Sequence, residues 1–129
     1  MALKINLKPG EKLVVNGAVL VNGDRRASML VQNKASILRQ KDILLPEEAT
    51  TPARRIYFAI MMMYLEPESR ITHYTEFALR SAEFMGAIGS REGLDLCIRM
   101  GKLVMDGNLY QALATCRKLF DFEKERLAA

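Results

Sequence analysis

Two arginine pairs, Arg25-Arg26 and Arg54-Arg55, are the side chains of this sequence best suited to a chemical task, and the task is holding anions. A guanidinium presents a planar fork of donors that matches a phosphate or a carboxylate two bonds at a time. Lys4, Lys8, Lys12, Lys34, Arg39 and Lys41 add to the first pair. Residues 1–45 carry eight Lys/Arg against three Asp/Glu, a net of +5, whereas residues 46–129 carry eleven against twelve, a net of −1. Clustered cations on a small module are what phosphate-backbone contact requires, and a solvated charged face is the plainer alternative. Arg54-Arg55 open what reads as a helix, where the dipole disfavours each cation by about 0.3–1 kcal/mol. A compensating group is therefore expected: Glu47, Glu48 or another carboxylate, or the phosphate or acidic surface of a partner. Residues 1–45 contain no Phe, Tyr or Trp. Base stacking on an aromatic platform is thus excluded from that module, and recognition there must use arginines, backbone groups and shape.

Other chemistry is poorly supplied. His73 is the single histidine; beside Thr72 and Tyr74 it reads as a surface or capping residue. Ser28, Ser36, Ser69, Ser81 and Ser90 lack a nucleophile elbow, and neither GxxxxGK[ST] nor GxGxxG occurs. Cys97 and Cys116 stand alone, without CxxC spacing or a Cys/His cluster, and read as buried apolar residues. No enzyme activity, metal or cofactor is expected. The overall charge of +4 permits a nucleic-acid partner without requiring one. No secretory leader is visible, and the longest apolar run, Ala59–Leu65, is too short to span a bilayer, so a cytoplasmic protein with reduced thiols and no membrane partner is expected.

The elements that must carry these residues change character near Pro46. Before it, short alternating segments are separated by tight turns, the pattern of a small β-meander. Leu3, Ile5 and Leu7 alternate with Lys4, Asn6 and Lys8, a half-buried strand with a cationic outer face. Pro9-Gly10 turns the chain. Leu13–Val15 and Ala18–Val21 flank Asn16-Gly17, a two-residue hairpin signal in which both turn positions accept positive φ. After Asn22-Gly23, Arg25–Gln32 alternates again, with Ala27, Met29 and Val31 on one side. Asn33-Lys34 is a further turn, Ala35–Arg39 a fifth strand, and Lys41–Leu45 a sixth or an irregular lead-out. This spacing predicts a small antiparallel sheet or a partly open barrel over residues 1–45.

After Pro46 the apolar spacing becomes helical over residues 46–129. Thr51-Pro52 opens a helix. One stripe holds Ala53, Ile56, Tyr57, Ile60 and Tyr64, and another holds Phe58, Met62 and Leu65. A helix apolar nearly all round is central in a core or sandwiched at an interface. The run Met61-Met62-Met63 is core filler or an adaptable protein-binding face, so Phe58, Met61, Met62 and Leu65 are the candidate partner-contact residues. The excess of apolar face makes a homodimer plausible. A second helix starts near Thr72 and ends at Gly89, with Tyr74, Phe77, Ala78, Ser81, Phe84, Met85 and Ile88 as its inner stripe. Ser90 caps a third, with Leu94, Cys97, Ile98, Gly101, Val104 and Met105 inward. After Asp106-Gly107-Asn108 a fourth turns Leu109, Ala112, Leu113, Cys116, Leu119 and Phe120 inward. The fold class is α+β: about five N-terminal strands packed on about four helices.

The stretches "LKPGEKLVVNGAVLVNGDRR", "ILRQKDIL", "TPARRIYFA" and "GNLYQAL" closely resemble the FlbT family of flagellar regulators across essentially the whole chain. That resemblance implies post-transcriptional control of flagellin production: association with the 5′ untranslated region of flagellin mRNA, and repression of translation or promotion of decay. It also implies a functional link to the small protein FlaF, and it implies no catalytic residues. "PGEKLVVNG" is similar, over a short stretch, to the opening turn of the dimeric RNA-binding regulator CsrA. The expected RNA-contacting residues are Lys4, Lys8, Lys12, Arg25, Arg26, Lys34, Arg39, Lys41, Arg54 and Arg55. The alternative expectation is a protein-interaction or chaperone-like module that binds flagellin or another flagellar protein through its helical half.

Overall fold

The computed structural model describes residues 2–128, with side chains through residue 125. The chain divides into two compact units, the first ending at Ile43 and the second beginning at Leu44.

The first unit contains five strands: β1 (Leu3–Leu7), β2 (Lys12–Val15), β3 (Ala18–Val21), β4 (Ala27–Val31) and β5 (Ile37–Arg39). The alternation of β1 does what it predicts, burying Ile5 and Leu7 while Lys4 and Asn6 stay exposed. The strands form two small antiparallel sheets, β1-β4 and β3-β2-β5, without a closed barrel. This corrects the expected meander, because β1 pairs with β4, Ile5 opposite Met29, and β2 pairs with both β3 and β5. The physical reason lies in the apolar face. A single five-stranded sheet would leave Ile5, Leu7 and Leu13 facing water, whereas two sheets turned toward each other cover them. Those three form one buried cluster, with Val15, Val31 and Ile37 packed against them, and Val14 and Leu38, paired across β2 and β5, are buried as well.

Two turns fix the crossings. Asn16 (φ 50°) and Gly17 (φ 85°) form the two-residue turn between β2 and β3, with Val15 opposite Ala18. Lys8–Glu11 is a type II turn: Pro9 presets the second position, Gly10 takes φ 72° at the third, and the Glu11 N–H donates to the Lys8 carbonyl at 3.1 Å. Residues 40–42 form a 3-10 turn, so no sixth strand follows β5.

The second unit contains α1 (Pro52–Leu65), α2 (Arg70–Ile88), α3 (Arg91–Met105) and α4 (Leu109–Ala128). Thr51 caps α1, its hydroxyl accepting from the Arg54 N–H at 3.3 Å, and Ser90 caps α3, accepting from the Gly93 N–H at 3.4 Å. α2 starts at Arg70 instead of after Thr72, since Pro67 initiates a 3-10 turn that runs directly into it. α1 is central, packed on both α2 and α4, and α3 packs mainly on α4. On α1, Ile56, Ile60 and Met63 are fully buried. α3 is rotated relative to expectation: Gly93, Cys97, Met100 and Val104 face inward, while Ile98 and Met105 are exposed. No helix of the described residues is long and apolar enough to cross a membrane.

Candidate nucleic-acid interface

In the first unit the type II turn, the start of β4 and the end of β5 enclose an open groove of about 970 Å³. Four of the expected cations, Lys8, Arg26, Arg39 and Lys41, line it together with one carboxylate, Glu11. The groove thus carries a net of +3. It exists because residues from three separate stretches of the chain, 6–11, 26–28 and 39–41, meet there.

A hydrogen-bonded frame holds its walls. The Arg39 guanidinium donates to the Asn6 carbonyl at 2.6 Å and to Glu11 Oε2 at 3.1 Å. Glu11 Oε1 accepts from the Lys8 backbone N–H at 2.8 Å. That backbone bond, reinforced by the Arg39 side chain, holds the Glu11 carboxyl below its ordinary pKa. On the far side of the turn, the Asn22 amide donates to the carbonyls of Lys8 at 2.8 Å and Arg25 at 2.9 Å. The Gln40 side-chain oxygen accepts from the Lys12 N–H at 2.7 Å. Arg39 is consequently a fixed, partly neutralised wall. Lys8, Arg26 and Lys41 are exposed and supply the groove's free positive charge. Such a cleft, with cationic tips, backbone groups and no aromatic side chain, suits phosphates of an extended polyanion better than stacked bases.

The remaining expected cations do not line the groove. Lys4 extends from the outer face of β1 opposite Leu30, and Lys12, Arg25 and Lys34 are exposed elsewhere on the unit. Arg54 and Arg55 belong to the second unit. At this helix start the contacts come from α4 and not from Glu47 or Glu48: Glu123 Oε2 accepts from the Ala53 N–H at 2.8 Å, placing a carboxylate at the positive end of the helix, and the Arg54 guanidinium lies 5.8 Å from the centre of the Phe120 ring. Glu48 instead accepts from the Leu45 N–H at 2.9 Å. Sequence reasoning missed Glu11 and Gln40 as framing groups. Glu11 follows the Pro-Gly turn directly, and that proximity was the available signal.

The helical residues expected to meet a partner are less accessible than their composition suggested. Met61 is buried, and its sulfur accepts from the Leu44 N–H at 3.4 Å, so it offers no surface. Phe58, Met62 and Leu65 are half-buried. The exposed apolar side chains of this unit instead include Ile71, Tyr74, Leu79 and Met85 on α2, Ile98 and Met105 on α3, and Leu45 and Tyr110. Tyr74 donates its hydroxyl to the Met105 sulfur at 3.4 Å, linking the two helices.

Neither thiol is poised for chemistry. Burial pushes Cys97 up to about 11 and raises Cys116 well above its ordinary value. His73 pairs with Glu66 at 2.9 Å on the surface of the second unit. Among the described residues no cluster of His, Cys, Asp and Glu could hold a metal ion.

Residues 3–127 match the family described as "Flagellar protein FlbT". The chain belongs to the FlbT family. It is 54% identical over 127 residues to the probable flagellum biosynthesis repressor protein FlbT of Caulobacter sp. (strain K31), covering 98% of this chain and 97% of that one. It is equally similar to the flagellum biosynthesis repressor protein FlbT of Caulobacter vibrioides (strain ATCC 19089 / CIP 103742 / CB 15), covering 98% and 90% of the two chains. To the probable FlbT repressor of Rhodopseudomonas palustris (strain TIE-1) it is 38% identical over 130 residues, 99% of each chain. FlbT is a family of regulators, not of enzymes. No solved structure matches the chain.

Proposed function

We propose that this protein represses flagellum biosynthesis by binding the 5′ untranslated region of flagellin mRNA in the cationic groove of its β unit. The single observation that carries this reading is the convergence of Lys8, Arg26, Arg39 and Lys41 on one cleft. The phosphate backbone of the leader lies along the groove, with Lys8, Arg26 and Lys41 neutralising it and Arg39 holding the turn in shape. Bound protein blocks ribosome entry or exposes the message to nucleases. The relatives named as repressors of flagellum biosynthesis support the regulatory half of this reading. The test is binding of a flagellin leader RNA to the purified protein at low salt. A saturable complex that dissolves as salt rises is the expected result, and no complex at any salt concentration refutes the mechanism.

A second reading draws on the exposed apolar side chains of α2 and α3, among them Ile71, Ile98 and Met105. In it the helical unit docks FlaF, flagellin or another flagellar protein. A stable complex with such a partner, formed without RNA and lost on substituting Ile98→Asp, is the outcome that favours it.

A further inference from the structure

β3 is an edge strand, paired only with β2. Its residues are Ala18, Val19, Leu20 and Val21, and all are exposed: Val19 is 64% accessible, Leu20 42% and Val21 61%. Successive strand residues point to opposite faces. Val19 continues the face of the buried Val14, and Leu20 continues the core face of Leu13. Both apolar faces of the sheet therefore run outward past β2 and stop, uncovered, at β3.

The backbone is as open as the side chains. Val15 and Ala18 flank a two-residue turn, which makes them a hydrogen-bonded pair, and the pairing alternates from there. Ala18 and Leu20 direct their N–H and C=O groups at β2. The Asn22 N–H keeps the same parity, donating to the Glu11 carbonyl at 2.9 Å. Val19 and Val21 direct theirs away from the sheet. Folded proteins guard such an edge with a lysine, a proline, a bulge or a covering element. β3 carries none of the first three, and the buried apolar side chains of the β unit are few: Ile5, Leu7, Leu13, Val14 and Leu38. Units of roughly this size usually need a disulfide, a metal or association to hold together.

We infer that β3 pairs antiparallel with β3 of a second copy of this chain, joining two three-stranded sheets into one six-stranded sheet across a two-fold axis. Charge selects this occupant. Residues 16–23 are all uncharged in a chain of net +4. An RNA finds no cation along this edge, and a second copy meets no like charge. The register is self-complementary. With Leu20 opposite its own counterpart, Val19 of one copy faces Val21 of the other, and the outward N–H and C=O groups of both valines are satisfied. Leu20, whose polar groups face β2, becomes a non-hydrogen-bonded pair with its counterpart, where side chains approach most closely. Such an interface is isologous and closes at two copies.

The experiment measures the mass of the full-length protein in solution and compares three variants. Wild type is expected at twice the 14.6 kDa of the chain. Val21→Pro removes an N–H that the single chain does not use, so it keeps its circular dichroism and falls to the monomer mass. Leu20→Cys forms an interchain disulfide in non-reducing gels, because the paired Cα atoms lie within bridging reach. Ala18→Cys faces Asn22 of the other copy and forms none, and the buried native Cys97 and Cys116 contribute no background. If Val21→Pro fails to fold, the Leu20→Cys bridge decides alone. A monomeric wild type overturns the inference. So does a dimer that a folded Val21→Pro leaves intact, or one in which Leu20→Cys does not bridge, since another surface would then hold it.

Discussion

In the helical unit, four helices enclose a core that includes Ile56, Ile60, Met63, Met100, Leu113 and Leu119, all almost wholly removed from water. In the β unit the buried apolar side chains are Ile5, Leu7, Leu13, Val14 and Leu38, while β3 and most of β4 stay exposed. Charge is distributed the opposite way, with the excess of cations on the β unit and near-neutrality on the helices. If the groove takes the leader RNA as proposed, folding stability and ligand affinity fall to different parts of one chain. The helices supply burial, and the small sheets, too short to bury much, supply a rigid frame of turns that aims charge at a groove. Binding sites drawn from less stable elements on a firmer scaffold are a general pattern.

The comparison is most exposed to charge reversal. Replacing Lys8, Arg26 and Lys41 together by Glu is expected to weaken leader-RNA binding by at least roughly a hundredfold at low salt, because each loses a phosphate contact and adds repulsion. Arg54→Glu with Arg55→Glu, on the helical unit, is expected to change it little. Electrophoretic mobility shift with both variants checks the contrast, and equal losses would erase the functional division between the units.

Core truncation ranks next. Leu113→Ala is expected to cost about 2–5 kcal/mol of global stability in a denaturant titration. Leu13→Ala is expected to open the β unit first, seen as faster amide exchange over residues 3–39 while the helices keep their protection. A single cooperative loss of protection across the whole chain would show that the two units share one stability.

Gly10→Ala tests the frame without touching charge. A side chain at φ 72° is strained, and about 1–2 kcal/mol is the expected cost. RNA affinity should fall with it because the Lys8–Glu11 turn shapes the groove. Unchanged affinity would mean that the turn is incidental.

The smallest expected effect belongs to the thiols. Both are neutral in folded and unfolded chains below the ordinary thiol pKa of about 8.5. As pH rises through that value, the unfolded thiols ionise first, since the folded Cys97 waits until about 11 and Cys116 is likewise raised. Stability contributed by the neutral buried thiols therefore declines above about pH 8.5. Alkylation at neutral pH should leave both unmodified until the helical unit unfolds, as mass spectrometry would register.

Much of the local structure was legible in the sequence. Asn16-Gly17 specified its hairpin because few other residues accept two consecutive positive φ values, and Thr51-Pro52 and Ser90 marked helix starts through capping chemistry. The sheet order was not legible, since alternation says which face a residue takes but not which strand lies beside it. The rotation of α3 was hidden because Ile98 and Met105 are as apolar as Cys97 and Val104, and only packing against α4 ranks them. Of the site, the cation types were readable but their convergence was not. Lys8, Arg26, Arg39 and Lys41 meet through the crossover between two sheets, and the role of Glu11 depends on Arg39, distant in sequence.

The groove's role in binding is tested most directly by the salt dependence of leader-RNA affinity in wild type, in Lys8→Glu/Arg26→Glu/Lys41→Glu and in Lys34→Glu. For a single strand the slope of log affinity against log salt is about −0.7 per phosphate neutralised, so the triple variant should be shallower than wild type by about 2, with Lys34→Glu unchanged. Equal slopes for wild type and the triple variant would contradict the assignment of RNA to this groove.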